Sequence, residues 1–264
     1  MQINDYYFII DVRGDKRYEY LSRSLREMGY DVYEFDADKE RPLNDNNDNI
    51  IYIFPPAAKL TAEDAESLAG ASKVFAFTQS SEVTDVFDKK GICFFNVFNE
   101  EKFAYKNALI TADGALMLVA QNTEIIFSDM KILVVGFGRV GKALSKIFKA
   151  VEARVDVLTF DRGECAAAVL LSDEQYGSFE NVKFDTYDVV INTVPARLIN
   201  RHVIAKFKEG VFLLELASDP GGFDKDAVYK NGINFLYAKG LPAKVAPASS
   251  SKILLDEIIS YLDL

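Results

Sequence analysis

The chain is poor in the residues that build several common kinds of site. It has two cysteines and one histidine in 264 residues. Cys93 and Cys165 are far apart and show no CxxC spacing, so a disulfide framework is excluded and a reducing cytoplasm is the expected setting. With His202 as the only histidine and two scattered cysteines, a zinc site is not expected, and no metal is expected. Basic runs are missing, and 30 Lys+Arg against 40 Asp+Glu leave a formal charge of −10. Such a surface repels nucleic-acid phosphates, so nucleic acid is not an expected partner. No apolar run approaches membrane-spanning length, so no membrane association is expected. The opening MQINDYYFIIDVRGD has no basic start and carries acids on both sides of its apolar run, so it does not read as a secretory signal.

What is present is an ordinary globular composition, 49% apolar and 27% charged. At roughly 150 residues per domain the length suggests two modest domains or one large one. The first half alternates between strand and helix signals. Strands are predicted at Tyr6–Val12, Tyr30–Phe35, Ile50–Phe54, Lys73–Thr78 and Cys93–Val97. Helices are predicted at Arg17–Met28, ended by Gly29, at Ala62–Leu68, capped by Thr61 with Asp64 at the capping-box position, and at Ser81–Lys89. The polar, proline-containing stretch Asp36–Asn49 reads as a loop. A helix over Thr111–Glu124 is the expected connector between the halves.

The second half opens on the clearest motif. Met130–Val135 is a buried-type strand that runs into GFGRVG (136–141) and a helix over Lys142–Ala150. In that setting a GxGxxG marks a dinucleotide site. Gly136 permits the tight turn, Gly138 lets a pyrophosphate approach the backbone, and Gly141 lets the helix pack on the strand. Phe137, Arg139 and Val140 complete the loop, and the helix start offers N–H groups to phosphate. Further strands are expected at Arg154–Phe160, Val182–Phe184, Val189–Thr193, Val211–Leu216 and Ile233–Ala238. Helices are expected at Leu198–Phe207, Lys225–Asn231 and Ser249–Leu262.

The fold class implied is α/β, with two doubly wound parallel-sheet domains of which the C-terminal one is a Rossmann NAD(P)-binding domain. The expected boundaries are 1–110 for the N-terminal, substrate-side domain, 111–128 for the connecting helix, 129–248 for the Rossmann domain and 249–264 for the last helix.

Several residues are candidates for the site. Asp161 lies 161 − 141 = 20 residues past the last glycine, where an acid binds the adenosine ribose and repels a 2′-phosphate. That favours NAD over NADP, while the adjacent Arg162 keeps NADP open. Asn192, Thr193, Val194 and Pro195 end a parallel strand on the cofactor side. Ser218, Gly221 and Gly222 follow the next strand, and Gly240, Pro242 and Lys244 lie in the loop after the last one. His202 sits in a helical stretch away from the strand ends and reads as a surface residue. Cys165 reads as packed.

With these segments in hand, the chain resembles the dipicolinate synthase family of spore-forming bacteria, in its nicotinamide-dependent A-type subunit. The resemblance is carried by Thr111-Ala112-Asp113-Gly114, GFGRVG (136–141), INTVPARLIN (191–200), LASDPGG (216–222) and GLPAKVAP (240–247). It implies a two-domain nicotinamide-dependent oxidoreductase that converts dihydrodipicolinate, formed from 4-hydroxy-tetrahydrodipicolinate, to dipicolinate during sporulation. It also implies a smaller, flavoprotein-like B-type subunit as partner. The substrate is then a small dicarboxylate, for which Arg13, Arg17 and Lys244 are the candidate cations and Thr111 a further contact. Asp113 is the first candidate for proton acceptor. Assembly into a homo-oligomer is compatible with the chain. This sequence departs from the family pattern at Asp219, where an arginine is usual, at Ala243, where glycine is usual, and at Ala248-Ser249 after VAP. Two alternatives therefore stay open: a diverged dehydrogenase for another small carboxylic acid, and a non-catalytic nucleotide-sensing module.

Overall fold

The computed structural model describes residues 6–36, 49–68 and 70–262. Most of the loop read over Asp36–Asn49 lies outside them. By its internal contacts the chain forms two units, Met1–Asn107 with Ala246–Leu264, and Ala108–Val245.

The first unit contains β1 (Tyr7–Asp11), α1 (Lys16–Glu27), β2 (Asp31–Phe35), β3 (Ile50–Ile53), α2 (Ala62–Glu66), β4 (Ala71–Ala76), α3 (Ser81–Lys90) and β5 (Cys93–Asn96). Its sheet is parallel throughout, in the order β2-β1-β3-β4-β5. This is one of the two common doubly wound orders. The strands are short apolar runs because both faces are covered. Ile9, Tyr52 and Val74 pack on one side with Ala65, Val83 and Phe87 from the helices. Phe8, Ile10 and Ile53 pack on the other with Leu21 and Leu25. That second face is completed by Leu254, Ile258 and Leu262 of the C-terminal helix, Pro247–Leu262. This last helix thus belongs to the first unit although it closes the chain. The predicted capping box is present: Thr61 accepts from the Asp64 amide at 3.1 Å, and Asp64 accepts from the Thr61 amide at 2.8 Å.

The connector α4 runs over Glu101–Asn122 and begins ten residues before the predicted start. The division between the units falls inside it. Its buried residues Phe103, Ala108, Ile110, Ala112, Ala115 and Val119 do not keep to one stripe, so no helical period stands out in its first half.

The second unit continues with β6 (Lys131–Val135), α5 (Arg139–Ala150), β7 (Arg154–Leu158), α6 (Arg162–Ala168), β8 (Glu174–Tyr176), β9 (Val189–Asn192), α7 (Arg201–Ile204), β10 (Phe212–Glu215), α8 (Lys225–Lys230), β11 (Asn234–Tyr237) and α9 (Leu241–Val245). The Pro247–Leu262 helix is α10. The sheet order is β11-β10-β9-β6-β7-β8, all parallel. Counted within the unit, that is the 3-2-1-4-5-6 order of a dinucleotide-binding sheet. Its switch point lies between β6 and β9. The two-domain doubly wound fold expected from the sequence is therefore the one observed.

Three local expectations need correction. Val182–Phe184 is not a strand. Both Val182 and Phe184 are buried, but from a loop and a short 3-10 turn at Phe184–Thr186. The third strand is instead β8, three residues long, and α6 precedes it. The loop expected at 239–244 is largely α9, whose Pro242 sits in the first turn, where the missing N–H costs nothing. The helix expected at Leu198–Phe207 is cut to four residues, because Asn200 caps it and Ile199 forms a bridge with Phe223.

Candidate dinucleotide-binding site

The glycine turn joins β6 to α5. Gly136 has φ +94°, and its N–H donates to the Leu158 carbonyl at 2.8 Å. A Cβ on Gly136 would meet Thr193 Oγ1 at 2.4 Å and Val194 Cγ2 at 2.6 Å, and one on Gly141 would lie 2.1 Å from the Gly136 carbonyl oxygen. Both glycines are required by packing alone. Gly138 is different. It is exposed, it precedes the first turn of α5 with no side chain capping that turn, and the nearest atom to a Cβ there is Glu164 Oε1 at 4.0 Å. The turn therefore keeps one open face, at the glycine assigned to pyrophosphate approach, beside uncapped helix N–H groups. These residues fit a dinucleotide. Phe137 contributes backbone only, since its ring is buried in the core. Arg139 and Val140 begin the helix.

At the neighbouring strand end, Asp161 is exposed and caps α6, accepting from the Glu164 amide at 2.8 Å. With Phe160, Arg162, Cys165, Val169 and Gln175 it lines a pocket on the β8 side of α6. Cys165 is half-buried at that pocket rather than sealed in the core.

The ends of β9 and β10 are knitted together by two residues of the core. Asn192 is fully buried. It donates to the Val194 carbonyl at 2.9 Å and to Glu215 Oε1 at 2.7 Å, and its oxygen accepts from the Val194 amide at 3.3 Å. It thus shapes the loop instead of facing a ligand, contrary to the sequence reading. Thr193 donates to the Val135 carbonyl at 2.9 Å, and with Val194 it stands against Gly136. Pro195 is exposed.

Glu215, which no motif pointed to, is fully buried. Its carboxylate accepts from the amides of Ala217 (3.0 Å), Gly222 (2.6 Å) and Phe223 (3.3 Å) besides Asn192. Gly221 and Gly222 are buried against this pair. A Cβ would meet Glu215 Oε2 at 2.9 Å from Gly221 and Asn192 Nδ2 at 2.4 Å from Gly222. They form the turn, and the space a side chain would take at either is already filled by this pair. Ser218 remains exposed. The signal in the sequence was an acid ending an otherwise apolar strand, VFLLE.

The remaining candidates are scattered. Asp219 is exposed, accepts from Tyr237 Oη at 2.9 Å and pairs with Lys239. Its carboxyl is held below its ordinary pKa by Lys239 first and Tyr237 second. Gly240 and Lys244 are exposed and Pro242 is buried. Asp113, on α4, lines a small apolar groove with Leu109, Ala143, Lys146, Ile147 and Ala150. That places it along the body of α5, next to Gly114, where a Cβ would meet Leu241 and Val245 of α9 just past the end of β11. Thr111 is half-buried on the same helix. In the first unit, Arg17 pairs with Asp15 at 2.6 Å with its side chain 13% exposed, and Arg13 pairs with the buried Asp11 at 2.7 Å while staying 28% exposed. Arg17 is committed to the turn after β1, whereas Arg13 keeps an accessible edge. His202 is exposed in α7, in keeping with a surface role. Among the described residues there is no group of three or more His, Cys, Asp or Glu able to hold a metal, and no helix long and apolar enough to cross a membrane.

Residues 96–230 match the family model of the D-isomer specific 2-hydroxyacid dehydrogenase, NAD binding domain, and the chain belongs to that family. Within it, the resemblance drawn from the motifs holds. The A-type subunit of dipicolinate synthase from Bacillus subtilis is 32% identical over 174 residues, which are 63% of this chain and 56% of that relative. The aligned segment therefore spans less than two thirds of the relative's length. The structure of the corresponding dipicolinate synthase subunit from Bacillus halodurans superposes with a TM-score of 0.83 at 24% identity, covering 98% of this chain and 97% of that one. The apo D-lactate dehydrogenase of Escherichia coli superposes at 0.65 with 16% identity over 97% and 96%. Both likenesses concern the fold.

Proposed function

We propose that the chain is the nicotinamide-dependent subunit of a dipicolinate synthase, oxidising dihydrodipicolinate to dipicolinate in the cytoplasm of a sporulating cell beside a flavoprotein-like second subunit. The observation that carries the reading is the open face at Gly138 above uncapped helix amides, in a chain that aligns with a dipicolinate synthase. The cofactor would be held by the backbone of 136–141, with Thr193 and Val194 closing the turn from β9, and NAD is preferred to NADP. When bound, it supplies the hydride acceptor. The oxidation removes one hydride and one proton from the ring. What the protein contributes is orientation and charge. Arg13, with its accessible edge, and the exposed Lys244 are candidate cations for a carboxylate, each on its own unit.

One observation favours a second reading, a dehydrogenase acting on a different small carboxylic acid. Asp219 places a carboxylate on the loop after β10, and it neutralises Lys239. The two readings separate in an absorbance assay at 340 nm. Purified chain with its flavoprotein-like partner, NAD⁺ and freshly made 4-hydroxy-tetrahydrodipicolinate is expected to form NADH and dipicolinate. NADH formation from another small acid, with none from this substrate, would assign the second reading.

A further inference from the structure

The sequence offers Asp161 as the acid for the adenosine ribose, but two carboxylates stand at the start of α6 and they point to different places. Asp161 Oδ1 accepts the Glu164 amide, and its side chain lines the pocket on the β8 side together with Arg162 and Gln175. Glu164, one turn further on, is absent from that pocket. Its Oε2 accepts from Thr159 Oγ1 at 2.8 Å, and Thr159 is 5% exposed just beyond the end of β7. This bond turns the other oxygen, Oε1, to within 4.0 Å of where a Cβ of Gly138 would stand. Glu164 is only half-buried, which leaves that oxygen open to a ligand.

The geometry points to Glu164, not Asp161, as the residue that takes the ribose hydroxyls and selects the cofactor. The inference rests on the dinucleotide reading of the glycine turn. Physically, the acid that chooses between the two cofactors must reach the ribose next to the pyrophosphate, and Gly138 marks where the pyrophosphate approaches. A carboxylate fixed there accepts hydrogen bonds from both hydroxyls and repels a 2′-phosphate. Thr159 is then a positioning residue, since it fixes the carboxylate in the direction of the turn. Arg162 and Thr159 both line the pocket with Asp161, but among the described residues only Glu164 Oε1 is found within 4 Å of a Gly138 Cβ. The chain should therefore use NAD.

The test is direct binding of NAD⁺ and NADP⁺ by calorimetry to the wild type and to Glu164→Gln, Asp161→Asn and Thr159→Val. Thermal melting of each variant confirms that it is folded. Asparagine at 161 retains the helix cap, and glutamine at 164 retains an acceptor for Thr159. The wild type is expected to bind NAD⁺ at least about tenfold more tightly than NADP⁺, the scale of one hydrogen bond to a charged group. Glu164→Gln should weaken NAD⁺ about tenfold and remove most of the preference, Thr159→Val should do so in part, and Asp161→Asn should leave both affinities within about threefold. Loss of preference in Asp161→Asn with none in Glu164→Gln would overturn the assignment while leaving the dinucleotide site standing. A wild type that prefers NADP⁺ would do the same. A wild type that binds neither nucleotide would overturn the assignment and the cofactor reading together.

Discussion

Glu215→Ala is expected to lower the stability of the second unit by about 3–5 kcal/mol, the cost of leaving several buried polar groups without their charged partner. The carboxylate is fully buried and satisfies the amides of Ala217, Gly222 and Phe223 and the side chain of Asn192. Removing it strands four donors inside the protein, where no solvent replaces the lost acceptor. A domain has only about 5–15 kcal/mol to lose, so the effect is a large part of the whole. Asn192 is held partly by Glu215, and it in turn shapes the backbone at Val194, so the loop beside the glycine turn should loosen as well. Urea unfolding followed by circular dichroism measures the first effect, and accelerated amide exchange at 193–198 and 217–223 measures the second. A midpoint within error of the wild type would show that water or a shifted loop supplies the missing acceptors.

The glycines of the turn should separate folding from binding. Gly141→Ala places a methyl group 2.1 Å from the Gly136 carbonyl oxygen, a backbone atom that cannot swing aside. The start of α5 must then lift from β6, and both stability and nucleotide affinity should fall, the latter by about 100-fold or more, since helix and turn together form the phosphate cradle. Gly138→Ala meets nothing closer than 4.0 Å, at a residue with φ −67° that alanine adopts freely. It should melt within about 0.5 kcal/mol of the wild type, as surface substitutions do. It should still lose about tenfold or more in NAD⁺ affinity, because the methyl group fills the face left open for the pyrophosphate. Equal loss of stability in the two variants would contradict this division of roles.

These two cases also show which features the sequence made legible. The run KILVVGFGRVG announces itself because an apolar strand, a tight turn and a helix start follow one another within a few residues, and each has a local physical cause. The N-terminal strands are legible for the same reason. Short elements set by tertiary contacts are not. β8 is three residues, none of them fully buried, and takes its place by pairing with β7, while Val182 and Phe184 imitate a strand although they pack inward from a loop. The site was legible at its glycines and less so at its side chains. Glu215 finds its partners up to eight residues downstream and across the sheet in Asn192, which no spacing encodes. Arg17 looked available for a substrate, but an aspartate two residues earlier claims it. Asp161 stood at the expected distance from the glycines, yet the first turn of α6 brings Glu164 rather than Asp161 toward them.

The central claim, a nicotinamide cofactor and a dicarboxylate held by one chain, is tested most directly by calorimetric titration of NAD⁺ into the wild type, alone and with dipicolinate present. Binding is expected at one site per chain, weakened in Gly138→Ala and tightened by dipicolinate, since the product would sit beside the nicotinamide. Affinity unchanged by dipicolinate would contradict the assigned substrate, and absence of NAD⁺ binding would reduce the glycine turn to a packing device and contradict the cofactor and substrate assignments together.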